Sequence, residues 1–294
     1  MAKELVEDTY AEAFDGLFSR LLITAKNEKL LEKAAYSSTA LPLTVLGESE
    51  GGIEKWLSET ETPDKRKGAI IQIWVGYRPD ALERLEKELG KRIRQGILVV
   101  PTTTVFNALD SAEKIDIMNR VGHCGDGYEF IENHYGRDVI NIPIMMGEFR
   151  IERYLSYAKG VMGGNIWYLC DSIDSALEIG ETGLEAIRKV EGVITSFDIC
   201  SAGSKVETKF PEIGPTTNHP YCPTLKGKIP DSKVPEDVGS IPEIVINGVS
   251  LDAVRKAMKV AIDSVVGMKG LVKISAGNYG GKLGKYRIYL KELL

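Results

Sequence analysis

The stretch EIVINGVSLDAVRKAMKVAIDSVVGMKGLVKISAGN, residues 243–278, decides the fold because it holds one complete strand–helix–strand unit. After the opening Glu its first residues are apolar and predict a strand, and apolar side chains then recur at helical spacing from Leu251 to Val265. Gly267 is typical of a helix end, and the apolar residues from Leu271 onward predict a second strand. The unit closes with the sequence Ser-Ala-Gly-Asn.

An earlier stretch, residues 166–205, repeats this plan. It begins with the apolar sequence Ile-Trp-Tyr-Leu and continues with apolar residues at helical spacing between Leu177 and Ile187. A second Ser-Ala-Gly triplet follows at residues 201–203. Two strand–helix–strand units that lead into the same triplet indicate an internal duplication, typical of a split β-α-β, ferredoxin-like lobe.

The N-terminal half contains fainter copies of the same unit. Helices are predicted after Asn27, a residue type that caps helix N-termini, and after Pro79, which is favoured in a first helical turn. Strands should flank these helices, and we predict them at residues 17–24, 43–46, 70–75 and 97–100. We therefore predict an α+β fold of two related ferredoxin-like lobes with antiparallel sheets, residues 1–150 and 151–294.

The composition is that of a globular protein. Of 294 residues, 43% are hydrophobic and 27% are charged, and the formal net charge is -5. No basic stripe stands out, which argues against nucleic acid as a partner. The first ten residues lack the apolar run of a signal peptide, and no segment is apolar over the length that a bilayer crossing requires, so we expect a cytoplasmic protein. The long connection, residues 211–242, is rich in Pro and Lys, and its length indicates a function or an interface.

The cysteines and histidines argue against disulfides and against a metal site. The four cysteines include no C-x-x-C pair, so we expect reduced thiols. The three histidines give only the pairs His123-Cys124 and His219-x-x-Cys222, without further ligands at zinc-type spacing. No G-x-S-x-G elbow is present, and Cys200, beside a Ser-Ala-Gly loop, is the one thiol that stays open as a nucleophile.

The segment SAGNYGGKLGK, residues 275–285, is the densest functional signal. It is not a phosphate-binding P-loop, because Leu283 and not Ser or Thr follows Lys282, and because a strand is predicted after it. Two interpretations remain. The segment is either a tight loop that uses Gly for unusual backbone angles, or a backbone approached by a ligand whose acidic groups meet Lys282 and Lys285.

Two further polar turns also have two interpretations. One contains Ser204 and Lys205, and the other contains Gly164 and Asn165. Their amides suit a developing oxyanion, but the same residue types are common in ordinary turns.

Glu243 differs from the other carboxylates, most of which lie on predicted solvated helix faces. It opens an apolar strand directly after Pro242, at the exit of the long connection. A carboxyl group held against apolar neighbours has a raised pKa and can act as an acid near neutral pH. The alternative is a strand-end residue in water.

The chain resembles the archaeal formylmethanofuran–tetrahydromethanopterin formyltransferase family along nearly its whole length. The C-terminal match is KISAGNYGGKLGKY, residues 273–286. Further matches follow the family's order, at residues 8–14, 52–54, 61–68, 101–107, 163–165, 222–223 and 243–248. The segment between Lys205 and Tyr221 departs from the family pattern.

This resemblance implies an enzyme of C1 metabolism, as in methanogenesis, that moves a formyl group from the amine nitrogen of methanofuran to N5 of tetrahydromethanopterin. It also implies a homotetramer without a metal or a prosthetic group, with the two carriers as co-substrates. We expect direct attack in a ternary complex, with Glu243 as the acid for the leaving amine and with Ser275 and Asn278 as oxyanion donors. The expected substrate-binding residues are Gly164, Asn165, Ser204, Lys205, Lys282 and Lys285.

Two other functions stay open at this point. A homologous subunit of a bacterial formyltransferase/hydrolase complex would have the same fold and the same transfer step but would need partner chains. A non-catalytic ferredoxin-like module would bind a small ligand without transforming it.

Overall fold

The computed structural model describes residues 2–40, 48–205 and 207–294. The strand predicted at residues 43–46 lies outside the described residues. The chain divides into two compact units. The N-terminal unit comprises residues 16–159, and the C-terminal unit comprises residues 160–294 together with the segment that ends at Asp15.

The described residues form the α-helices and β-strands of an α+β fold. The helices are α1 (Ala2–Leu5), α2 (Glu28–Thr39), α3 (Ala81–Arg92), α4 (Ile173–Ile187) and α5 (Leu251–Val265). The strands are β1 (Tyr10–Thr24), β2 (Glu50–Leu57), β3 (Gly68–Gly76), β4 (Thr104–Asn107), β5 (Lys114–Asp116), β6 (Phe130–His134), β7 (Arg137–Ile144), β8 (Gly147–Glu152), β9 (Tyr154–Cys170), β10 (Val193–Thr195), β11 (Glu243–Gly248), β12 (Leu271–Ser275) and β13 (Tyr286–Tyr289).

The sheet of the N-terminal unit has the order β2-β3-β1-β4, and all of these neighbours are antiparallel. Helix α2 connects β1 to β2, and α3 connects β3 to β4. This is the split β-α-β order that the faint N-terminal copies predict. Beyond β4 the sheet continues through β8, which is parallel to β4, and then through β7 and β6.

The C-terminal unit repeats the same order with its own elements. Its strands run β10-β11-β9-β12, again with antiparallel neighbours, and α4 and α5 make the two helical connections. Ser172 and Ser250 cap these helices at equivalent positions, where their hydroxyls accept N–H bonds from Ser175 at 3.2 Å and from Ala253 at 3.1 Å. The predicted α+β class and the duplicated strand–helix–strand plan are confirmed.

The two faces of the C-terminal sheet have different coverings. Tyr168 of β9 belongs to the apolar core that α4 and α5 form with their buried side chains, among them Met258 of α5. Its neighbour Trp167 points to the opposite face, because successive side chains of a strand alternate. There Trp167 packs with Val234 and Val238 of the long connection. The long connection therefore covers the face of the sheet that the helices leave uncovered.

The strand predicted at residues 97–100 is wrong. The helix continues instead as a π-helical turn, Ile93–Leu98, and the next strand is β4. Leu89, Ile93 and Ile97 are all buried. They lie four positions apart and so share one stripe of the helix, which means that the apolar character at Ile97 belongs to the helical pattern.

The beginning of the chain belongs to the C-terminal unit, which differs from the predicted division at residue 150. Strand β13 pairs with residues 10–13 of β1, and Val6 forms a bridge with Ile274. Ala11 and Ala13 are buried in the core of that unit. Pairing between the two ends of a chain leaves no local sequence pattern, which is why the prediction divided the chain by order alone.

None of the helices in the described ranges combines the length and the apolar character that a bilayer span requires.

Candidate active site

A cavity of about 380 Å³ lies in the C-terminal unit, between the sheet and the long connection. Its walls are mainly apolar and include Trp167, Tyr221 and the exposed first turns of α4 at Ile173 and Leu177. Among the described residues that line it, Glu243 is the one carboxylate. An ionised carboxylate in such surroundings loses much of its hydration, which favours the neutral carboxyl form.

Glu243 is held both by its backbone and by its carboxyl group. Its N–H donates to the carbonyl of Cys200 at 2.9 Å, and its carbonyl accepts the N–H of Cys200 at 2.7 Å. Trp167 Nε1 donates to Oε1 of Glu243 at 2.8 Å, and the Cys200 side chain is a second hydrogen-bond partner. Burial raises the pKa of Glu243, and the bonds from Trp167 and Cys200 offset only part of that rise. The carboxyl group therefore keeps its proton to a higher pH than an ordinary Glu, as a general acid requires.

Glu243, Trp167 and Ser275 form a row across three adjacent strands. Trp167 on the central strand β9 is directly opposite Glu243 of β11 and directly opposite Ser275 of β12. Opposed residues of neighbouring strands point to the same face of a sheet. Ser275, which is buried, thus lies on the face that carries the Glu243 carboxyl group.

The glycine-rich loop after Ser275 closes around a carboxylate of the chain itself. Oε2 of Glu12 accepts the N–H groups of Tyr279 at 2.5 Å and of Gly281 at 3.1 Å. Oε1 of Glu12 accepts those of Leu283 and Gly284, both at 2.7 Å. Burial raises the pKa of Glu12, but the four N–H bonds outweigh it and the net pKa is lowered.

This arrangement bears on the two interpretations of the loop. Backbone N–H groups that converge on one point form a nest for an anion, and here the anion is Glu12. Those four N–H groups are already occupied, which favours the interpretation as a tight loop between strands. Gly280 and Gly281 have φ values of 68° and 75°, the left-handed region that glycine adopts without strain.

Asn165 and Gly164 lie in β9, where they hold neighbouring parts of the site in place. Asn165 Oδ1 accepts the N–H of Gly277 at 2.6 Å, while its Nδ2 donates to the carbonyls of Gly277 at 3.1 Å and of Gly163 at 3.2 Å. A Cβ at Gly164 would lie 2.4 Å from Val254 Cγ1, so a glycine there lets α5 pack on the sheet. Both residues hold the loop and the sheet together.

Asn278 is exposed, and its side-chain amide forms hydrogen bonds with other residues of the chain. Its Nδ2 donates to Thr9 Oγ1 and to the carbonyl of Tyr10, both at 3.2 Å, and its Oδ1 accepts the N–H of Gly280 at 3.2 Å. The amide thus ties the glycine-rich loop to the start of β1.

Ser204 lies beside Tyr279, a residue that the sequence analysis did not single out. The Ser204 hydroxyl and the Tyr279 hydroxyl are 3.1 Å apart and hydrogen-bonded. Burial raises the pKa of Tyr279 most, the hydrogen bond with Ser204 lowers it by less, and the negative charges of Glu243, Glu12 and Glu207 raise it further, so that the net pKa is raised. Tyr279 therefore stays a protonated phenol, able to donate a hydrogen bond.

The three candidate lysines are spread over the surface of the C-terminal unit. Lys285 Nζ is paired with Asp15 Oδ2 at 2.9 Å, which raises the pKa of Lys285. Lys282 is exposed on the glycine-rich loop. Lys205 pairs through its backbone with Thr216, with N–O distances of 2.8 and 3.1 Å.

The sequence patterns did not indicate roles for Trp167, Glu12 and Tyr279. In a split β-α-β lobe the strands of Trp167 and Glu243 are neighbours, but the register that places the two residues opposite each other cannot be derived from sequence patterns. Glu12 lies in a family-matching stretch, yet its partners are 267 to 272 positions away in the chain. Tyr279 lies inside the glycine-rich loop, where the predicted site residues were Ser275, Asn278, Lys282 and Lys285.

The side chains that the structure describes include no group of three or more His, Cys, Asp or Glu residues that suits a metal ion. The four cysteines form no disulfide. Only Cys170 is fully buried, whereas Cys124 is exposed and Cys200 and Cys222 are partly buried.

Two family models match consecutive parts of the chain. The model described as formylmethanofuran-tetrahydromethanopterin formyltransferase matches residues 1–144, and the model described as FTR, proximal lobe, matches residues 147–293. Together they account for nearly all of the sequence.

Curated relatives match over almost their whole length. A protein of Archaeoglobus fulgidus named formylmethanofuran–tetrahydromethanopterin formyltransferase-like protein is 64% identical, with 98% of this chain and 96% of that protein covered. The formylmethanofuran–tetrahydromethanopterin formyltransferase of Methanocaldococcus jannaschii is 45% identical, with coverages of 98% and 97%.

Solved structures show the same fold. The formylmethanofuran:tetrahydromethanopterin formyltransferase of Methanosarcina barkeri superimposes with a TM-score of 0.90 at 39% identity and covers 98% of both chains. A chain of the formyltransferase/hydrolase complex of Methylorubrum extorquens, solved with methylofuran, gives a TM-score of 0.89 at 35% identity, with coverages of 98% and 96%.

Proposed function

This chain belongs to the formylmethanofuran–tetrahydromethanopterin formyltransferase family, and we propose that it transfers the formyl group of formylmethanofuran to N5 of tetrahydromethanopterin, reversibly, in C1 metabolism. It is an enzyme that transfers formyl groups. The observation that carries the assignment of chemistry to this chain is Glu243, a carboxyl group with a raised pKa in a mainly apolar cavity.

In the proposed mechanism N5 of the pterin attacks the formyl carbon directly. A C–N bond forms, and the carbonyl electrons move to oxygen, which gives a tetrahedral oxyanion. As the intermediate collapses, the bond to the methanofuran nitrogen breaks and its electron pair stays on that nitrogen. The carbonyl double bond re-forms, and Glu243 gives its proton to the leaving nitrogen, so that a neutral amine leaves. N5 loses the proton that it carried into the reaction, and that proton restores the Glu243 carboxyl group. The apolar walls of the cavity protect the intermediate from water.

The oxyanion requires hydrogen-bond donors near Glu243. We propose Ser275 for this role, because it lies on the same face of the sheet, one strand beyond Trp167. Asn278, the other donor proposed from the sequence, has its amide engaged with Thr9 and Tyr10, so we propose that it acts by fixing the loop.

The carriers have acidic groups that call for cations. We propose that Lys205, Lys282 and Lys285 meet these groups, with Ser204 as a polar neighbour and with Gly164 and Asn165 as supports of the substrate-binding backbone. Lys282 and Lys285 are both exposed, and the Lys285 ammonium group would have to exchange its pairing with Asp15 for a group of the ligand.

The direct test is a two-carrier assay with the purified chain. Formylmethanofuran and tetrahydromethanopterin are mixed with the protein, and N5-formyl product is measured while both concentrations are varied. Intersecting lines in double-reciprocal plots are expected for a ternary complex. Parallel lines would contradict direct attack, because they indicate a covalent formyl-enzyme.

The likeness to a chain of the Methylorubrum formyltransferase/hydrolase complex supports a second candidate function, that of a subunit which transfers the formyl group only together with partner chains. Carrier binding by calorimetry without product in the assay, followed by product once partner chains are added, would establish it. Product formed by the purified chain alone would exclude an obligate complex.

We further propose that the enzyme is a cytoplasmic homotetramer that binds no prosthetic group and uses both carriers as co-substrates. The family likeness supports these proposals. Light scattering coupled to size-exclusion chromatography measures the assembly, and a mass near four chains is expected.

A further inference from the structure

Trp167 contacts Glu243 through a single polar atom. Its Nε1 is 2.8 Å from Oε1 of the carboxyl group, and both side chains lie on the same face of the sheet because the two residues are directly opposed in β9 and β11. An indole N–H can only donate a hydrogen bond. Oε1 therefore acts as an acceptor, and because a carbonyl oxygen accepts better than a hydroxyl oxygen, the bond favours the proton of a neutral Glu243 carboxyl group on Oε2.

The indole ring is fixed from two further directions. Tyr221 of the long connection packs against it edge-on, with ring centroids 4.7 Å apart. Gly277 also lies so close to the ring that a Cβ there would be 2.7 Å from Cζ2 of Trp167. The ring is only 6% exposed, so it has little room to turn.

Gly277 is itself held in place. Asn165 binds both its N–H, at 2.6 Å, and its carbonyl, at 3.1 Å. Asn165 is also buried and lies on the same strand as Trp167, two residues before it. The indole thus contacts both the Gly277 backbone, which Asn165 of its own strand holds, and the Tyr221 ring of the long connection.

We propose that Trp167 is a positioning residue that directs the acidic proton of Glu243 to Oε2 and fixes the carboxyl plane relative to the cavity. This inference rests on the proposed role of Glu243 in formyl transfer. The step itself is unchanged: the Oε2–H bond breaks as the N–H bond forms on the leaving amine. What Trp167 supplies is the orientation of that bond, and a misplacement of about 1 Å can cost about a hundredfold in rate.

The test begins with Trp167→Phe, which keeps an aromatic ring and removes the N–H. We expect kcat to fall about tenfold to a hundredfold, with a smaller change in KM. We also expect the limb of the pH–rate profile at which activity falls with rising pH to move to higher pH, because the lost N–H bond had favoured the ionised carboxylate. Cys200 and Tyr279 are the other titratable groups that act on Glu243, and both remain in this variant.

Trp74→Phe is the matched control. Trp74 is also buried, and its Nε1 also donates to a side chain, Gln72 Oε1 at 2.9 Å, but it belongs to the N-terminal unit. Its loss should lower the melting temperature without moving the pH–rate profile. Gly277→Ala is a second probe that keeps the indole N–H and displaces the ring, and it should reproduce the loss in kcat.

A double-mutant cycle with Glu243→Gln decides between positioning and a general structural effect. If Trp167 acts through Glu243, Trp167→Phe should have little further effect on kcat in the Glu243→Gln background. The proposal is overturned if Trp167→Phe lowers kcat equally in both backgrounds, or if the pH–rate profile of the single variant does not move. Full activity of Glu243→Gln alone would instead show that the proposed role of Glu243 is wrong, and the absence of any formyl transfer by the unaltered protein would show that the proposed function is wrong.

Discussion

The pKa values of two carboxyl groups in the C-terminal unit are shifted in opposite directions. Glu12 meets four backbone N–H groups that stabilise its ionised form, and the net pKa is lowered. Glu243 meets mainly apolar walls, and its pKa is raised in spite of the bonds from Trp167 and Cys200. Burial alone therefore does not decide the charge of a side chain, and the donors that face it determine the outcome.

Glu12→Gln should destabilise the protein. The amide group places an NH₂ where two backbone N–H donors now meet a carboxylate oxygen, so these donors lose their partner. We expect a loss of about 2–4 kcal/mol in the free energy of unfolding, measured by urea titration at pH 7. Glu178→Gln, a change to an exposed carboxyl group on α4, is the control and should be neutral.

The same variant should alter the pH dependence of stability. Because the folded pKa of Glu12 lies below its ordinary value of 4.5, its contribution is present above about pH 4.5 and is lost as the pH falls through the lowered value. The difference in stability between Glu12→Gln and the unaltered protein should therefore shrink in acid. A difference that stays constant from pH 7 to pH 3 would contradict this account.

Glu243→Gln should increase stability at neutral pH. A raised folded pKa means that the folded state loses stability as the pH rises from 4.5 through the raised value. Glutamine keeps the shape and cannot ionise, so the variant should have a higher melting temperature at pH 8 and little difference at pH 4. A lower melting temperature at both pH values would contradict this expectation, because it would show that ionised Glu243 does not destabilise the folded state.

At the level of elements, the periodic segments were predictable and the irregular ones were not. Helices α4 and α5 and the strands beside them follow directly from apolar spacing, because most of their stability comes from burying one stripe or face. The strand predicted at residues 97–100 failed because a short apolar run after a helix has two possible periods. The path of the long connection over the sheet is fixed by tertiary contacts that no local pattern records.

Lys226 holds the long connection in its folded path. Its Nζ donates to the carbonyls of Pro235 at 3.3 Å and of Val238 at 3.2 Å, and also to that of Glu236. Lys226→Met keeps most of the aliphatic chain and leaves these carbonyls without their cation. We expect faster cleavage within the long connection in limited proteolysis and a rise of several-fold in KM, because this segment forms one wall of the cavity. Lys228→Met, a change at an exposed lysine nearby, should alter neither value.

At the level of the whole molecule, the order β-α-β-β-α-β occurs twice. The sequence predicted it clearly in the C-terminal copy, whereas the pattern of the N-terminal copy was faint. The proposed chemistry is concentrated in the C-terminal unit. There the position of Glu243 after Pro242 left two interpretations open, and Glu243 was chosen as the acid only after the family resemblance was considered. The residues that orient Glu243 were not predictable, because Trp167 meets it through strand register and Gly277 acts on Trp167 through a close backbone approach. The first fifteen residues belong to the C-terminal unit and bring Glu12 into it. This was not predictable either, because it requires the two ends of the chain to meet.

The proposed formyl transfer depends most on the Glu243 carboxyl group as the acid that releases the methanofuran amine. The decisive measurement compares kcat and KM of Glu243→Gln and of Glu178→Gln with those of the unaltered protein, at saturating tetrahydromethanopterin and varied formylmethanofuran. We predict that Glu243→Gln lowers kcat by a factor of roughly 10² to 10⁴ with little change in KM, while Glu178→Gln matches the unaltered protein. A Glu243→Gln variant that keeps its kcat within about twofold would contradict the account.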